Sequence, residues 1–215
     1  MAPSNTFQNL AADKQERILD AALSEFAEKG YARASMNNLV GRLGIAKGSI
    51  FQYFKDKPGL FQHVFDFAVG RVKDHLRRVR DQSRGQDVFE RIHRSLLAGL
   101  ALIEDSPRLF QLYLRVVFEG DVPFRGRLLA SIRLFSRDYL LDLLREGVAA
   151  GQLRPDLDLD LAAFLVDAAL ERFLIASSVS QLDPGLGLFQ ADAARARELA
   201  GRLVETLRRG LGAAA

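Results

Sequence analysis

The chain has no cysteine. Disulfide bonding and thiol chemistry are therefore excluded, and a cytosolic (cytoplasmic) protein is the expectation. Its histidines are His63, His75 and His93 alone, too scattered to give the ligand spacing of a zinc site without cysteine. No apolar run approaches the roughly 20 residues that a membrane-spanning helix needs. The opening MAPSNTFQNLAAD has no basic start followed by an apolar stretch, so a secretory signal is not expected. The glycines show no phosphate-loop spacing of the type G-x-x-x-x-G-K-S/T. No Ser-His-Asp arrangement can be argued from the chain, and beyond the first helices no segment alternates with period two. An enzyme, a metal and a cofactor are accordingly not expected.

What is present is a chain of 215 residues, 48% hydrophobic and 27% charged, long enough to bury one large or two small cores. The net charge is only +3, but it is unevenly placed. Every lysine, at positions 14, 29, 47, 55, 57 and 73, lies in the first 73 residues. Residues 1–80 hold 13 Lys and Arg against 8 Asp and Glu, and the remainder holds 17 against 19. A basic head on a near-neutral body points to one end that meets a polyanion.

Within that head, residues 35–58 read SMNNLVGRLGIAKGSIFQYFKDKP. Met36, Leu39, Val40 and Leu43 recur at three- and four-residue steps and share one helix face. Ser35 stands where an N-cap is wanted, and Gly44 can take the left-handed conformation that ends a helix. A second short helix opens at Ala46-Lys47-Gly48-Ser49, with Ile50 and Phe54 one turn apart. Asp56 can cap a third, with Pro58 in its first turn. Helix, short Gly-containing turn, short helix is the outline of a helix-turn-helix. Between Tyr31 and Pro58 the basic residues are Arg33, Arg42, Lys47, Lys55 and Lys57, and the only acid is Asp56. A small, polar, cationic first turn suits an element whose N-terminal end approaches base edges and phosphates.

The stretch ILDAALSEFAEKGYARASMNNLVGRLGIAKGSIFQYFKDKPGLF, residues 18–61, resembles the DNA-binding domain of the TetR family of transcriptional regulators. The matching features are an amphipathic first helix ending in Gly-aromatic, a capped short helix, Gly-hydrophobic-small, Lys-Gly, aromatic-x-Tyr-Phe and Lys-x-Lys before Leu-Phe. Two positions depart from the pattern. Ala46 stands where Ser or Thr usually caps the second helix, and Phe51 stands where Tyr is usual. The resemblance implies a homodimer on a palindromic DNA operator, a C-terminal ligand-sensing domain, and a four-helix dimer bundle built from the last two helices of each subunit. It also makes the helix from Asp56 the connector between the two domains.

Along the chain, residues 1–12 are read as a flexible arm. A first helix over 13–30 is capped by Asp13 and buries Ile18, Leu19, Ala22, Leu23, Phe26 and Ala27. The DNA-binding domain spans 13–57 and a connector helix 58–82, with the break at SRGQD, 83–87. The ligand-binding and dimerisation domain then spans 83–215. Its helices are read over 87–105, 108–119, 123–150, 157–178 and 191–210, separated by Ser106-Pro107, Gly120, Gly151 to Pro155, and the loop 180–190. The fold class is thus all-α, a three-helix helix-turn-helix domain followed by a helical domain. Residues 159–176 are apolar on most sides, so two covers are expected, one of them a partner subunit. The predicted dimer interface comprises Leu165, Ala169, Leu199, Leu203 and Leu207.

Arg33, Ser35, Arg42, Tyr53 and Lys57 are assigned to phosphate. Lys47, Ser49 and Gln52, with Gly48 between them, are assigned to base edges or beside them. Polar interruptions of apolar helical text, together with nearby aromatics, give the candidate effector residues: His93, Phe110, Gln111, Tyr113, Phe164, Asp167 and Glu171. Glu90 and His93 form an E-x-x-H, the spacing of di-iron helical bundles, but neither His63 nor His75 has a Glu three residues before it. The expected function is a ligand-responsive repressor released by a small hydrophobic effector. The alternatives are a ligand-dependent co-repressor or activator of the same fold and, more remotely, a helical-bundle carboxylate enzyme.

Overall fold

The apolar stripes and their capping residues resolve into ten α-helices among the described residues, which in this computed structural model are 5–183 and 185–212, without the side chains of Asn5 and Lys47. They are α1 Asn5–Gln8, α2 Ala12–Arg33, α3 Met36–Leu43, α4 Lys47–Tyr53, α5 Lys57–Gln82, α6 Val88–Asp105, α7 Pro107–Phe118, α8 Arg125–Ala149, α9 Leu159–Ala176 and α10 Ala193–Leu211. The only extended pairing among the described residues is an isolated bridge between Leu153 and Gly212. No described helix is long and apolar enough to cross a membrane.

Two compact units form. One comprises Met1–Asp74 with Ile103–Ser131, the other His75–Leu102 with Ile132–Ala215. The break at 83–87 is present as the turn between α5 and α6, but it lies inside the second unit. Segment 103–131, read from sequence as part of the C-terminal domain, belongs to the first. The reason is the packing of α7 along α2. Arg115 donates from Nε to the Ala27 carbonyl at 3.1 Å and from its second guanidinium nitrogen to the Glu28 carbonyl at 3.1 Å. It also pairs with Glu119. Gly30, at φ 72°, breaks the helical geometry of α2 there, and a Cβ on it would meet the Glu119 carboxylate at 2.8 Å. The positive φ is the demand that selects glycine, because the Glu119 carboxylate sits at the end of a flexible side chain.

The first unit buries the expected face of α2: Ile18, Leu19, Ala22, Leu23, Phe26 and Ala27. From α5 it adds Leu60, Phe61, Val64 and Phe65. Tyr31 folds back onto this stripe, with its ring centroid 5.3 Å from that of Phe61. Two readings need correction. Residues 5–8 are not a loose arm, because α1 drives Phe7 into the core at 1% exposure, while residues 1–4 lie outside the described residues. The cap of α2 is not Asp13, which lies inside the first turn; Ala11 takes the N-cap position without a side-chain bond. The Gln15 amide instead bridges back to the Gln8 and Leu10 carbonyls at 3.0 and 2.8 Å and ties α1 to α2.

In the second unit one core cluster joins Val88, Phe89 and Ile92 of α6 to Leu140, Leu141 and Leu144 of α8, and to Ala162 and Val166 of α9. Another joins Leu96 of α6 to Phe173 of α9 and to Ala196, Leu199 and Ala200 of α10. Asp87 opens α6 by accepting the Phe89 and Glu90 amides, and it pairs with Arg208 of α10 at 2.8 Å. Burial pushes its carboxyl up, but Arg208 and the two amides outweigh burial and hold it below the usual range. The caps of α9 and α10 are Asp158 and Asp192, whose side chains accept the Leu161 and Arg195 amides.

Candidate nucleic-acid interface

The joint between α3 and α4 follows from two residues. Ser35 is extended and its hydroxyl accepts the Asn38 amide at 3.4 Å, closing the first turn of α3. Gly44 ends α3 in the left-handed region at φ 64°. Among the described residues a Cβ there would meet no atom within 4 Å, so the requirement is conformational rather than steric. Ala46 occupies the N-cap of α4 and offers no side-chain acceptor. Asp56 accepts the Gly59 amide at 2.8 Å and starts α5 as its sequence position implies.

Helix α4 has seven residues, too few to hold itself together, so its order comes from packing. Ile50, Tyr53 and Phe54 are buried. Phe7 sits against both aromatics, with centroids 4.8 Å from Phe54 and 5.9 Å from Tyr53, and His63 completes the cluster at 5.6 Å from Phe7. Burial lowers the His63 pKa, with Asp66 opposing it. The opposite face of α4 carries Gly48, Phe51 and Gln52 in solvent, with Ser49 half-buried and Lys55 exposed just beyond it.

The predicted contacts separate into three groups. Gly48, Ser49 and Gln52 share the outward face of α4; the Lys47 side chain lies outside the described residues. Arg33 is exposed, with its Nε on the Lys29 carbonyl at 3.1 Å, and Arg42 is exposed but paired with Glu28 at 3.2 Å. Tyr53 and Lys57 turn inward. Tyr53 is 7% exposed. Lys57 Nζ donates to the Ala32 carbonyl at 3.0 Å and lies 4.7 Å from the centre of the Tyr31 ring. Burial lowers the Lys57 pKa, partly offset by Asp121 and Glu25. Sequence reasoning missed Phe7 and Glu25; the latter is 2% exposed beneath Ser35. The signal available was the apolar Phe7 in a polar segment.

The candidate effector residues are divided between the units. Phe110, Gln111 and Tyr113 lie on α7 in the first, where Gln111 is exposed and Phe110 and Tyr113 are ring neighbours at 5.8 Å. In the second, Arg133 of α8 brings Asp167 and Glu171 together, at 3.1 Å from the former and in close contact with the latter. Among the described residues the buried Nε2 of His93 has no hydrogen-bond partner, and its Nδ1 lies 4.0 Å from the Glu90 carboxylate. Phe164 is 67% exposed. Of the predicted interface residues, Leu165 is 48% exposed and Ala169 half-buried, but Leu199 packs into the chain's own core, with Leu203 and Leu207 half-buried against it. The reading of Leu199 as a residue facing a partner is corrected on that ground. The stripe of α10 closes its own unit, and it is α9 that leaves Leu161, Phe164 and Leu165 in solvent.

A helix-turn-helix whose second helix turns Gly48, Ser49 and Gln52 outward, braced by the long helix α2 in an all-helical chain, defines a DNA-binding transcriptional regulator. The family model described as bacterial regulatory proteins, tetR family, matches residues 18–64. A TetR family transcriptional regulator from Chloroflexus aurantiacus is 30% identical, with 100% of each chain covered and a TM-score of 0.70. This chain belongs to the TetR family. The transcriptional repressor KstR2 of Mycolicibacterium smegmatis is 26% identical over 75% of this chain and 77% of its own. The regulator FadR of Bacillus subtilis, solved in complex with stearoyl-CoA, shares the fold at a TM-score of 0.73 and 19% identity, over 91% of this chain and 98% of that one. Two curated regulators of Bacillus subtilis, YerO and the fatty acid metabolism regulator protein, are matched over 63% and 80% of their own lengths.

Proposed function

We propose that this regulator represses transcription as a homodimer on a palindromic operator and is released by a small hydrophobic effector. The observation that carries the reading is the outward face of α4, where Gly48, Ser49 and Gln52 stand together while Ile50, Tyr53 and Phe54 anchor the helix from behind. In this reading Gln52, Ser49 and Lys47 approach base edges, with Gly48 allowing close approach, and Arg33, Ser35 and Arg42 hold phosphates. Tyr53 and Lys57 serve the interface chiefly by fixing α4 and α5, since both are engaged inward. The partner subunit covers α9 at Leu161, Phe164 and Leu165, with Ala169 beside them. Repression is supported by the KstR2 relative, and an acyl-type effector by the stearoyl-CoA complex of FadR. The effector site is assigned to the region after residue 83, around His93 and the Arg133, Asp167 and Glu171 cluster.

Selection of bound duplexes from a random-sequence pool, followed by sedimentation of the complex, tests this reading. The expected result is an inverted repeat with half-sites about 34–36 Å apart or a multiple of that, carrying paired copies of the chain. Recovery of no preferred sequence, or one copy on a single half-site, would overturn it.

A further inference from the structure

Glu25 carries a carboxyl group that the DNA-reading face does not use directly. It projects from the middle of α2, and its side chain is 3% exposed. One oxygen accepts the backbone N–H of Ser35 at 3.0 Å. The other has no hydrogen-bond partner among the described residues and lies 3.8 Å from the Arg42 guanidinium. Ser35, Met36, Leu39 and Lys57 line the small hollow around it.

Burying a carboxyl group with one oxygen unpartnered is expensive. The geometry explains why it is tolerated. Ser35 is the N-cap of α3 and already accepts the Asn38 amide. In a local capping box the reciprocal bond, to the N-cap's own N–H, comes from an acid or amide side chain three residues later. Asn38 stands there, and the bond comes instead from Glu25 on another helix. The carboxylate therefore welds the entry of α3 to α2. At the far end of α3, Arg42 is held by Glu28 at 3.2 Å and approached by the same Glu25. With α3 fixed at both ends to α2, the direction of the Gly44 turn, and hence of α4, is fixed as well.

We infer that Glu25 is a positioning residue for DNA binding, acting through Ser35 and Arg42 to set the orientation of the reading pair. This rests on the DNA-binding reading given above, and it predicts a sign opposite to that of simple electrostatics. Removing a carboxylate beneath a DNA-facing surface removes repulsion and should tighten binding. Removing a positioning bond should weaken it.

The test uses the full-length protein and a duplex that it selects from a random-sequence pool. Glu25→Leu fills the space without an acceptor, whereas Glu25→Gln keeps an acceptor for the Ser35 amide and removes the charge. We expect Glu25→Leu to weaken binding roughly tenfold or more, as for loss of a charge-assisted hydrogen bond. Glu25→Gln should stay within about threefold of wild type, with an unchanged dependence of affinity on salt, since it keeps the Ser35 bond and with it the phosphate contacts. Binding by folded Glu25→Leu that equals or exceeds wild type overturns the inference, as does a Glu25→Gln defect as large as that of Glu25→Leu. Should Glu25→Leu fail to fold, amide hydrogen exchange at Ser35 in the DNA-free wild type decides. Protection of that amide, retained in Glu25→Gln, supports the inference, and exchange at the rate of an open chain overturns it. This measurement needs no DNA, so a wild-type protein that binds no duplex would count against the DNA-binding reading alone.

Discussion

Replacing Phe7 with alanine should loosen the recognition helix from behind without touching the surface that meets DNA. Phe7 is 1% exposed and lies against Phe54, Tyr53 and His63 at centroid distances of 4.8, 5.9 and 5.6 Å. A Phe→Ala change in a rigid core costs about 3–5 kcal/mol. Here the element that carries the ring has only four residues, so it can detach rather than leave a cavity. The loss is then closer to the burial of one side chain, about 1.5–3 kcal/mol. Spread over the first unit, that corresponds to a fall in its melting temperature of roughly 5–15 °C. Amide exchange at Ile50 to Tyr53 should accelerate in step, because a helix of seven residues has no stability apart from its packing. DNA affinity should drop by about tenfold or more, each factor of ten being 1.4 kcal/mol. Thermal unfolding, exchange and a DNA titration together form the assay. Unchanged protection of α4 in a variant that has lost the Phe7 ring would refute the idea that α1 supports the reading helix.

Three further expectations concern the dimer face, the response to pH and the effector. Leu165→Glu places a charge on the exposed face of α9 and should give a folded monomer by sedimentation, whereas Leu199→Glu should unfold the second unit, since Leu199 is a core residue; a folded dimer of Leu165→Glu would place the interface elsewhere. Because burial depresses the His63 pKa, its contribution is fully present above the ordinary imidazole value of 6.5 and is lost as pH falls through 6.5 toward the folded value. The first unit should therefore become easier to melt as pH falls below the ordinary imidazole value of 6.5, and His63→Phe should flatten that dependence; an identical slope in the variant would assign the effect to other groups. If effector and DNA are antagonists, an effector found by thermal shift must bind the operator complex more weakly by the same factor as it weakens DNA binding, typically 5–150-fold. Equal affinity with and without DNA would remove the coupling, and tighter binding on DNA would indicate a co-repressor.

Much of the first unit was legible because its signals are local. Ser35, Gly44 and Asp56 mark helix ends by hydrogen bonding and backbone conformation within a few residues, and the structure places all three in those roles. The α2 stripe was legible because six apolar residues keep one period. What depended on distant packing was not. Phe7 sits alone in a polar segment, and a helix of four residues has no periodicity to detect. Glu25, within SEFAEK, has the look of a solvated helix residue; only the approach of Ser35 ten positions later makes it a buried acceptor. Lys57 belongs to a basic run, yet the ring of Tyr31 and the Ala32 carbonyl draw it inward. The membership of 103–131 in the first unit follows from Arg115 reaching carbonyls 87 and 88 positions earlier, a contact no local pattern encodes. On α10 the stripe was correctly apolar, but periodicity does not say whether a stripe faces its own chain or a partner, and Leu199 faces its own.

The most direct test of the account is repetition of the DNA selection with Gln52→Ala. Gln52 is exposed on α4 beside Gly48 and Ser49, on the side away from the buried Ile50 and Tyr53. If that face reads bases, the variant should keep its fold, its stoichiometry and its salt dependence. It should lose discrimination at one position in each half-site, by about 1–3 kcal/mol. A selected sequence identical to that of the wild type, with equal affinity, would mean that α4 does not read the operator through this residue and would contradict the assignment of the interface.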